Sequence, residues 1–274
     1  MHVPRHPFTV RLVGFEPDES TQLEALLARA PVAGPSYSCL HDDSLQEPDL
    51  YIANGDSSAA LKRLGCVPPS SLQPALVIGG GDASARPTMA RPIEPKRLFD
   101  ELAELLDMRV QALAELNARG ERLLAERRRH PRLAPDTEKP EFYDRLRHGP
   151  SDGGVLIIDK ECTFRDHVAR VLGRRKLPVE WTDSLRAAMR LCDETPVSLV
   201  MINTSAVGVD PYWLCSSIKS QGGAGRTAVL FLVESSFQYD SVRARDAGVR
   251  GLLDKPVAGR HLMMTFQKLL DLPV

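Results

Sequence analysis

The densest cluster of chemistry-bearing side chains is a run of arginines. Arg119, Arg122, Arg127, Arg128, Arg129 and Arg132 are opposed only by Glu121 and Glu126, so residues 119–132 hold a formal +4. Guanidinium forks match phosphate oxygens bidentately, which would make this run an anion site. Basic side chains closing a helix also complement its dipole and face water, and that reading stands beside the first. Other chemistry is sparse. The five cysteines (39, 66, 162, 192 and 215) never reach C-x-x-C spacing. Their odd number argues against a complete disulfide framework, so buried apolar thiols are expected and a zinc site is not. Gly79-Gly80-Gly81 lacks the spacing of a phosphate-binding loop and reads as a turn. The seven histidines are scattered and no nucleophile–base pair is recognisable, so the chain is expected not to be an enzyme.

These residues have to be positioned by a folded scaffold. The chain has 274 residues, is 43% hydrophobic and 26% charged, and holds only 5% aromatics, so it is globular with a core of Leu, Val, Ile and Ala. The second half alternates short apolar runs (154–158, 177–181, 197–202, 227–233, 249–253) with amphipathic stretches (163–175, 185–194, 212–220, 238–247, 259–270). Such runs are strands buried on both faces of a parallel sheet, so the expected fold class is α/β, doubly wound and flavodoxin-like, with function at the carboxyl ends of the strands. The first half repeats the rhythm less cleanly. Its strands are expected at 9–14, 36–40, 50–53, 75–78 and around 89–90, its helices at 18–30, 57–64 and from 95. Only about ten residues separate its last two strands, so the helix expected there is shrunken or missing.

Between the halves, 95–130 forms one long helical pattern, with Arg109, Asn117 and Gly120 interrupting its possible apolar seams. It suits either a parallel dimer stalk or a stiff spacer. Pro131, Pro135, Pro140 and Pro150 then mark 131–153 as linker. The expected organisation is a first domain at 1–107, an extended helix and charged linker at 108–153, and a second domain at 154–274.

The second half resembles the receiver domain of bacterial two-component response regulators. The likeness rests on Ile158-Asp159-Lys160-Glu161, Met201-Ile202-Asn203, Val207-Gly208-Val209-Asp210-Pro211, Leu232-Val233-Glu234 and Asp254-Lys255-Pro256, in order. The resemblance implies a phosphoryl group accepted by a carboxylate nucleophile, with Mg²⁺ held by first-loop acids. It further implies a lysine after the fifth strand, a Ser or Thr after the fourth, and an aromatic on the fifth that relays the change. In this chain the acceptor position is Asn203, whose neutral amide cannot form an acyl phosphate. Asp159 and Glu161 remain, but Lys160 takes the second-acid position. Val233 stands for the hydroxyl, Leu252 for the aromatic, and Lys255 matches the family lysine. The resemblance therefore implies a pseudo-receiver; what survives of the site, Lys255 with Asp159, reads as a partly buried structural ion pair or as a site that still binds a small anion or metal.

The first half resembles a more decayed receiver: Glu16 and Asp18 lie in its first turn, Asn54 at the acceptor position, and Arg91-Pro92 where Lys-Pro is expected. Arg127, Arg128, Arg129 and Arg132 also resemble the R-R-x-x-x-R element of PilZ domains, which bind cyclic di-GMP, although the companion element is incomplete. The expected function is a signalling protein with tandem pseudo-receivers, acting through protein contacts or homodimerisation and using no cofactor. The alternative is a sensor of cyclic di-GMP or another phosphate-rich anion. Expected partners are a histidine kinase, a response regulator or a cyclase-type effector. Near-neutral charge (35 basic, 36 acidic) and the absence of a helix-turn-helix pattern argue against nucleic acid. No signal-peptide core and no apolar run of about 18–20 residues is present, so a cytoplasmic protein without membrane insertion is expected.

Overall fold

The computed structural model describes residues 6–31, 34–65, 70–80, 86–119, 153–175, 177–205, 208, 210–220 and 227–270. The chain divides into two compact units, the second made of Asp43–Gln46 together with the chain from Ala134 onward.

In the first unit the strands are β1 (Phe8–Val13), β2 (Tyr37–Cys39), β3 (Leu50–Asn54), β4 (Ala75–Ile78) and β5 (Thr88–Met89). All pair in parallel in the order β2-β1-β3-β4-β5. The helices are α1 (Pro17–Leu27), α2 (Ser58–Gly65) and α3 (Pro95–Ala118). Pro17 and Pro95 each open a helix at the position where a missing N–H costs nothing. The side chains of α1 and α3 cover one sheet face, where Leu23, Leu27, Leu98, Leu102, Leu105 and Leu106 pack on Val10, Ile52, Leu76 and Ile78. The other face has a thinner layer, Ala60 and Leu64 of α2 on Val13, Tyr51, Ala53, Ala75 and Val77. The described residues between β4 and β5 hold no helix, consistent with the short spacing; 81–85 lie outside the described residues.

The second unit has strands β6 (Gly154–Ile158), β7 (Val179–Thr182), β8 (Val197–Asn203), β9 (Ala228–Val233) and β10 (Gly251–Asp254). Their parallel order, β7-β6-β8-β9-β10, repeats the topology of the first sheet. Alternate residues of the strands divide between two cores, as period-2 geometry requires. Leu156, Ile158, Val200, Ile202, Val229 and Phe231 face α5 (Leu185–Glu194), α6 (Pro211–Lys219) and α7 (Ser241–Asp246). Val155, Ile157, Leu199, Met201, Leu230 and Leu232 face α4 (Thr163–Leu172) and α8 (Gly259–Leu269). The expected α/β class and doubly wound, parallel-sheet architecture are therefore present in both units.

Local chemistry sets the element ends. β7 begins at Val179, two residues later than its apolar pattern, because Pro178 has no N–H and only its carbonyl joins the ladder, accepting from Val155. α7 begins at Ser241 because the Asp240 carboxylate caps it, accepting from the Val242 and Arg243 N–H groups at 3.0 Å each. The preceding Tyr239 is drawn toward the core instead of continuing the helix. Asp43–Gln46 lies along the β10 edge: Leu45 N–H donates to the Leu252 carbonyl at 3.0 Å, and the Gln46 carboxamide meets the Asp254 N–H and, at 3.1 Å, His261 Nδ1. Of the cysteines, Cys192 and Cys215 are buried as expected; Cys39 is half-buried and Cys162 is exposed, so the expectation of buried thiols fails at Cys162, which sits at the solvent-facing start of α4. Cys66 lies outside the described residues.

The long helix is described as far as Ala118, and its expected continuation to 130 lies outside the described residues. Arg109, which interrupts the seam in sequence, turns into its own unit. Its guanidinium donates to Asp49 Oδ1 at 2.9 Å and to the Leu72 carbonyl. Asp49 is 1% exposed and its second oxygen accepts from the Thr9 N–H and hydroxyl at 2.9 and 3.0 Å. Removing one partner of a buried pair leaves an uncompensated charge. Arg109→Ala is therefore expected to destabilise the first unit by about 3 kcal/mol, with most of the loss recovered in Arg109→Ala combined with Asp49→Asn. Urea unfolding of the full chain, with exchange protection of the β1 amides as the local readout, measures both.

Candidate functional site

In the second unit the carboxyl ends of β6, β8, β9 and β10 bring together Asp159, Asn203, Val233, Glu234 and Lys255. Asp159 follows β6 directly, its N–H bonded to the Thr182 carbonyl at 3.1 Å while the Trp181 indole N–H donates to the Asp159 carbonyl at 3.0 Å. That fixes a carboxylate only 8% exposed. Its partner is Asn203, the last residue of β8 and 6% exposed: Nδ2 donates to Asp159 Oδ1 at 2.8 Å, and Oδ1 accepts from the Ser205 N–H at 3.2 Å. The carboxamide thus satisfies a buried charge with a neutral donor, where a carboxylate would require a cation or a shared proton.

The other expected positions fall around this pair with different partners. Lys255 Nζ lies 3.7 Å from Glu234 Oε1, so its ion pair is with the residue after β9 and not with Asp159. The two side chains are 24% and 48% exposed, so the pair contributes little. Glu234 supplies a nearby carboxylate to Lys255, while the Asn203 amide already serves Asp159. Val233 and Leu252, at the hydroxyl and aromatic positions of the relay, are both fully buried aliphatics in one core. Neither offers a hydrogen bond or a ring that could swing. Lys160 and Glu161 are exposed. An ammonium next to Asp159 in the chain and an amide in place of a carboxylate make this donor set a poor fit for a hard dication, which takes anionic oxygens.

A neighbouring group that sequence reasoning missed holds the loop after β9. Tyr212 packs with Phe231, Phe237 and Tyr239, with ring centroids 5.3–6.5 Å apart. Its hydroxyl accepts from the Asp240 N–H at 2.8 Å, and burial raises its pKa. The Arg243 guanidinium sits 4.5 Å from the Tyr212 ring centroid and bonds Asp210 Oδ2 at 2.5 Å. These contacts tie the start of α6 to the start of α7. An aromatic so soon after a Pro helix start was the available signal.

The first unit builds the same corner with different residues. Asn54, ending β3, donates from Nδ2 to the Gly14 carbonyl at 3.1 Å and accepts at Oδ1 from the Asp56 N–H at 3.0 Å. Arg91 reaches Asn54 Oδ1 at 3.2 Å, Asp56 Oδ2 at 3.0 Å and Glu19. The Glu19 hydrogen bond leads the causes that raise the Arg91 pKa. Glu19 is therefore the first-helix acid that reaches the corner; Glu16 and Asp18 are exposed at the start of α1. Both X-Pro bonds after the fifth strands, Arg91-Pro92 and Lys255-Pro256, are cis. Arg127, Arg128, Arg129 and Arg132 lie outside the described residues. Among the described residues, no group of three or more His, Cys, Asp or Glu could hold a metal, and no helix is long and apolar enough to cross a membrane.

Residues 155–267 match the family model of the response regulator receiver domain. The response regulator PleD of Caulobacter vibrioides (strain NA1000 / CB15N) is 28% identical over 110 residues, which are 40% of this chain and 24% of that protein. The chain thus spans about a quarter of the curated relatives it matches. Among solved structures, the chemotaxis response regulator CheY4 of Vibrio cholerae is 19% identical, covering 43% of this chain and 98% of that one, with a TM-score of 0.39. The signal receiver domain of a DNA binding response regulator from Colwellia psychrerythraea 34H is 21% identical, covering 44% and 100%, with a TM-score of 0.40.

Two outcomes follow from this geometry. Asn203→Asp places a second carboxylate 2.8 Å from Asp159. One of the two acids then has a raised pKa, so the variant is expected to lose about 1–3 kcal/mol at pH 7 and little below about pH 4, where the shared proton is present in both states. Urea unfolding at the two pH values measures this. Burial pushes the Cys192 thiol up to about 11 and the Cys215 thiol up to about 12. Alkylation of the native chain at pH 8 should therefore label Cys162 and spare both buried thiols, read by peptide mass spectrometry.

Proposed function

We propose that the chain, whose residues 155–267 match the family model of the response regulator receiver domain, is a response-regulator-like signalling protein whose two units are pseudo-receivers. In this reading neither unit accepts a phosphoryl group, and the output is protein contact: with a histidine kinase, another response regulator, a cyclase-type effector or a second copy of the chain. The domains proposed are 1–107 and 154–274, with 108–153 between them.

The observation behind the reading is the paired amide. Asn203 and Asn54 end the third strand of their sheets, each donates from Nδ2 to the loop after the first strand, and each accepts at Oδ1 from the N–H two residues on. An amide is a poor nucleophile and cannot be the acceptor that group transfer requires. The buried Val233 and Leu252 add to this, since a relay without a hydroxyl or a ring has nothing to move. Trp213 and Val242, 51% and 54% exposed on α6 and α7, supply apolar surface suited to a protein partner. The alternative, a sensor of cyclic di-GMP through Arg127–Arg132, rests on the sequence motif alone.

The test is incubation of the full chain with acetyl phosphate and Mg²⁺, followed by intact-mass measurement. No phosphoryl adduct is expected in either unit. A stoichiometric adduct of one phosphoryl group that hydroxylamine removes, as it does an acyl phosphate, would overturn the reading.

A further inference from the structure

The first unit holds an oxyanion at its strand ends, and that oxyanion is its own side chain. Asp56 Oδ1 accepts from the Gly80 N–H at 2.9 Å, and Asp56 Oδ2 accepts from Arg91 Nε at 3.0 Å. The two donors come from the connections after β4 and β5, while Asp56 follows β3. One carboxylate therefore joins three strand ends. Asp56 is itself pinned, since its N–H donates to Asn54 Oδ1, the same oxygen that accepts from Arg91 at 3.2 Å.

The backbone is shaped around this group. Gly79 and Gly80 both have left-handed φ, +79° and +72°, which a side chain would strain. A Cβ on Gly79 would stand 2.4 Å from Asp56 Oδ2 and 3.0 Å from Arg91 Nε. One on Gly55 would stand 2.2 Å from the Gly79 carbonyl oxygen. The glycines read from sequence as a plain turn thus also leave the space in which a carboxylate meets a guanidinium and an N–H. A guanidinium beside a backbone N–H suits phosphate and sulfate as well as carboxylate, because all present paired oxygen acceptors. The corner is reachable from water, with the Arg91 and Asp56 side chains 35% and 55% exposed.

We propose that the Arg91 guanidinium and the Gly80 N–H form a binding site for a tetrahedral oxyanion, phosphate or sulfate, and that the Asp56 carboxylate fills it as a tethered ligand. The tether keeps the site filled against free phosphate up to the effective concentration of the attached carboxylate. Glu19, also paired with Arg91, adds a second negative charge that opposes a soluble anion. The strand-end loops of this unit are then held by the chain's own charge, with no dependence on a transferred group.

The experiment is titration of the full chain with inorganic phosphate and, separately, sulfate, followed by the Gly80 amide and Arg91 Nε–H resonances. Wild type is expected to show no saturable shift into the tens of millimolar. Asp56→Ala should show one at least tenfold tighter, and Asp56→Ala with Arg91→Ala should lose it. If Asp56→Ala does not fold, Asp56→Asn keeps the shape without the charge and should show the same gain over wild type. Equal titrations of wild type and the Asp56 variant, or a gain that survives loss of Arg91, would overturn the proposal. Neither result depends on whether acetyl phosphate modifies the chain, so this test and that of the pseudo-receiver reading fail independently.

Discussion

A carboxamide at the end of the third strand governs both corners of this molecule. A carboxylate there would add a negative charge beside Asp159 in the second unit, a cost that must be met by a cation or a proton. Asn203 removes the charge and at the same time donates to the acid that remains, at 2.8 Å. The corner becomes electrostatically complete from within. Asn54 donates instead to the Gly14 backbone carbonyl, and its oxygen accepts from both the Asp56 N–H and Arg91.

The neighbouring substitutions are consistent with that constraint. Lys255 pairs with Glu234 at the rim, and Arg91 is held by Glu19 and Asp56. Val233 and Leu252 serve as core packing, each fully buried. Tyr212, Asp240, Arg243 and Asp210 fasten the loop after β9 by ring contacts and hydrogen bonds. Each of these groups finds its partner inside its own unit.

The sheets were legible because strands buried on both faces write themselves as continuous apolar runs, and 75–78, 154–158 and helix 185–194 have the bounds their patterns predict. Boundaries moved where local chemistry acts across a turn, as at Pro178 and at the Asp240 cap. The two asparagines were legible as positions, since they follow strand patterns directly. Their partners were not. That Lys255 meets Glu234, that Glu19 and not Glu16 reaches Arg91, and that Asp56 folds back onto Gly80 depend on loop geometry between strands far apart in sequence. Arg109 read as a flaw in a helical seam because its partner, Asp49, lies sixty residues away and is buried.

The Asn203 carboxamide bonds Asp159 at 2.8 Å, and its side-chain amide resonances report on that bond directly. In ¹H–¹⁵N spectra of the full chain, the Asn203 Nδ2 protons should exchange slowly with water. They should also keep their shifts when Mg²⁺ and acetyl phosphate are added together. Rapid exchange, or a saturable shift on addition of those reagents, would contradict the account.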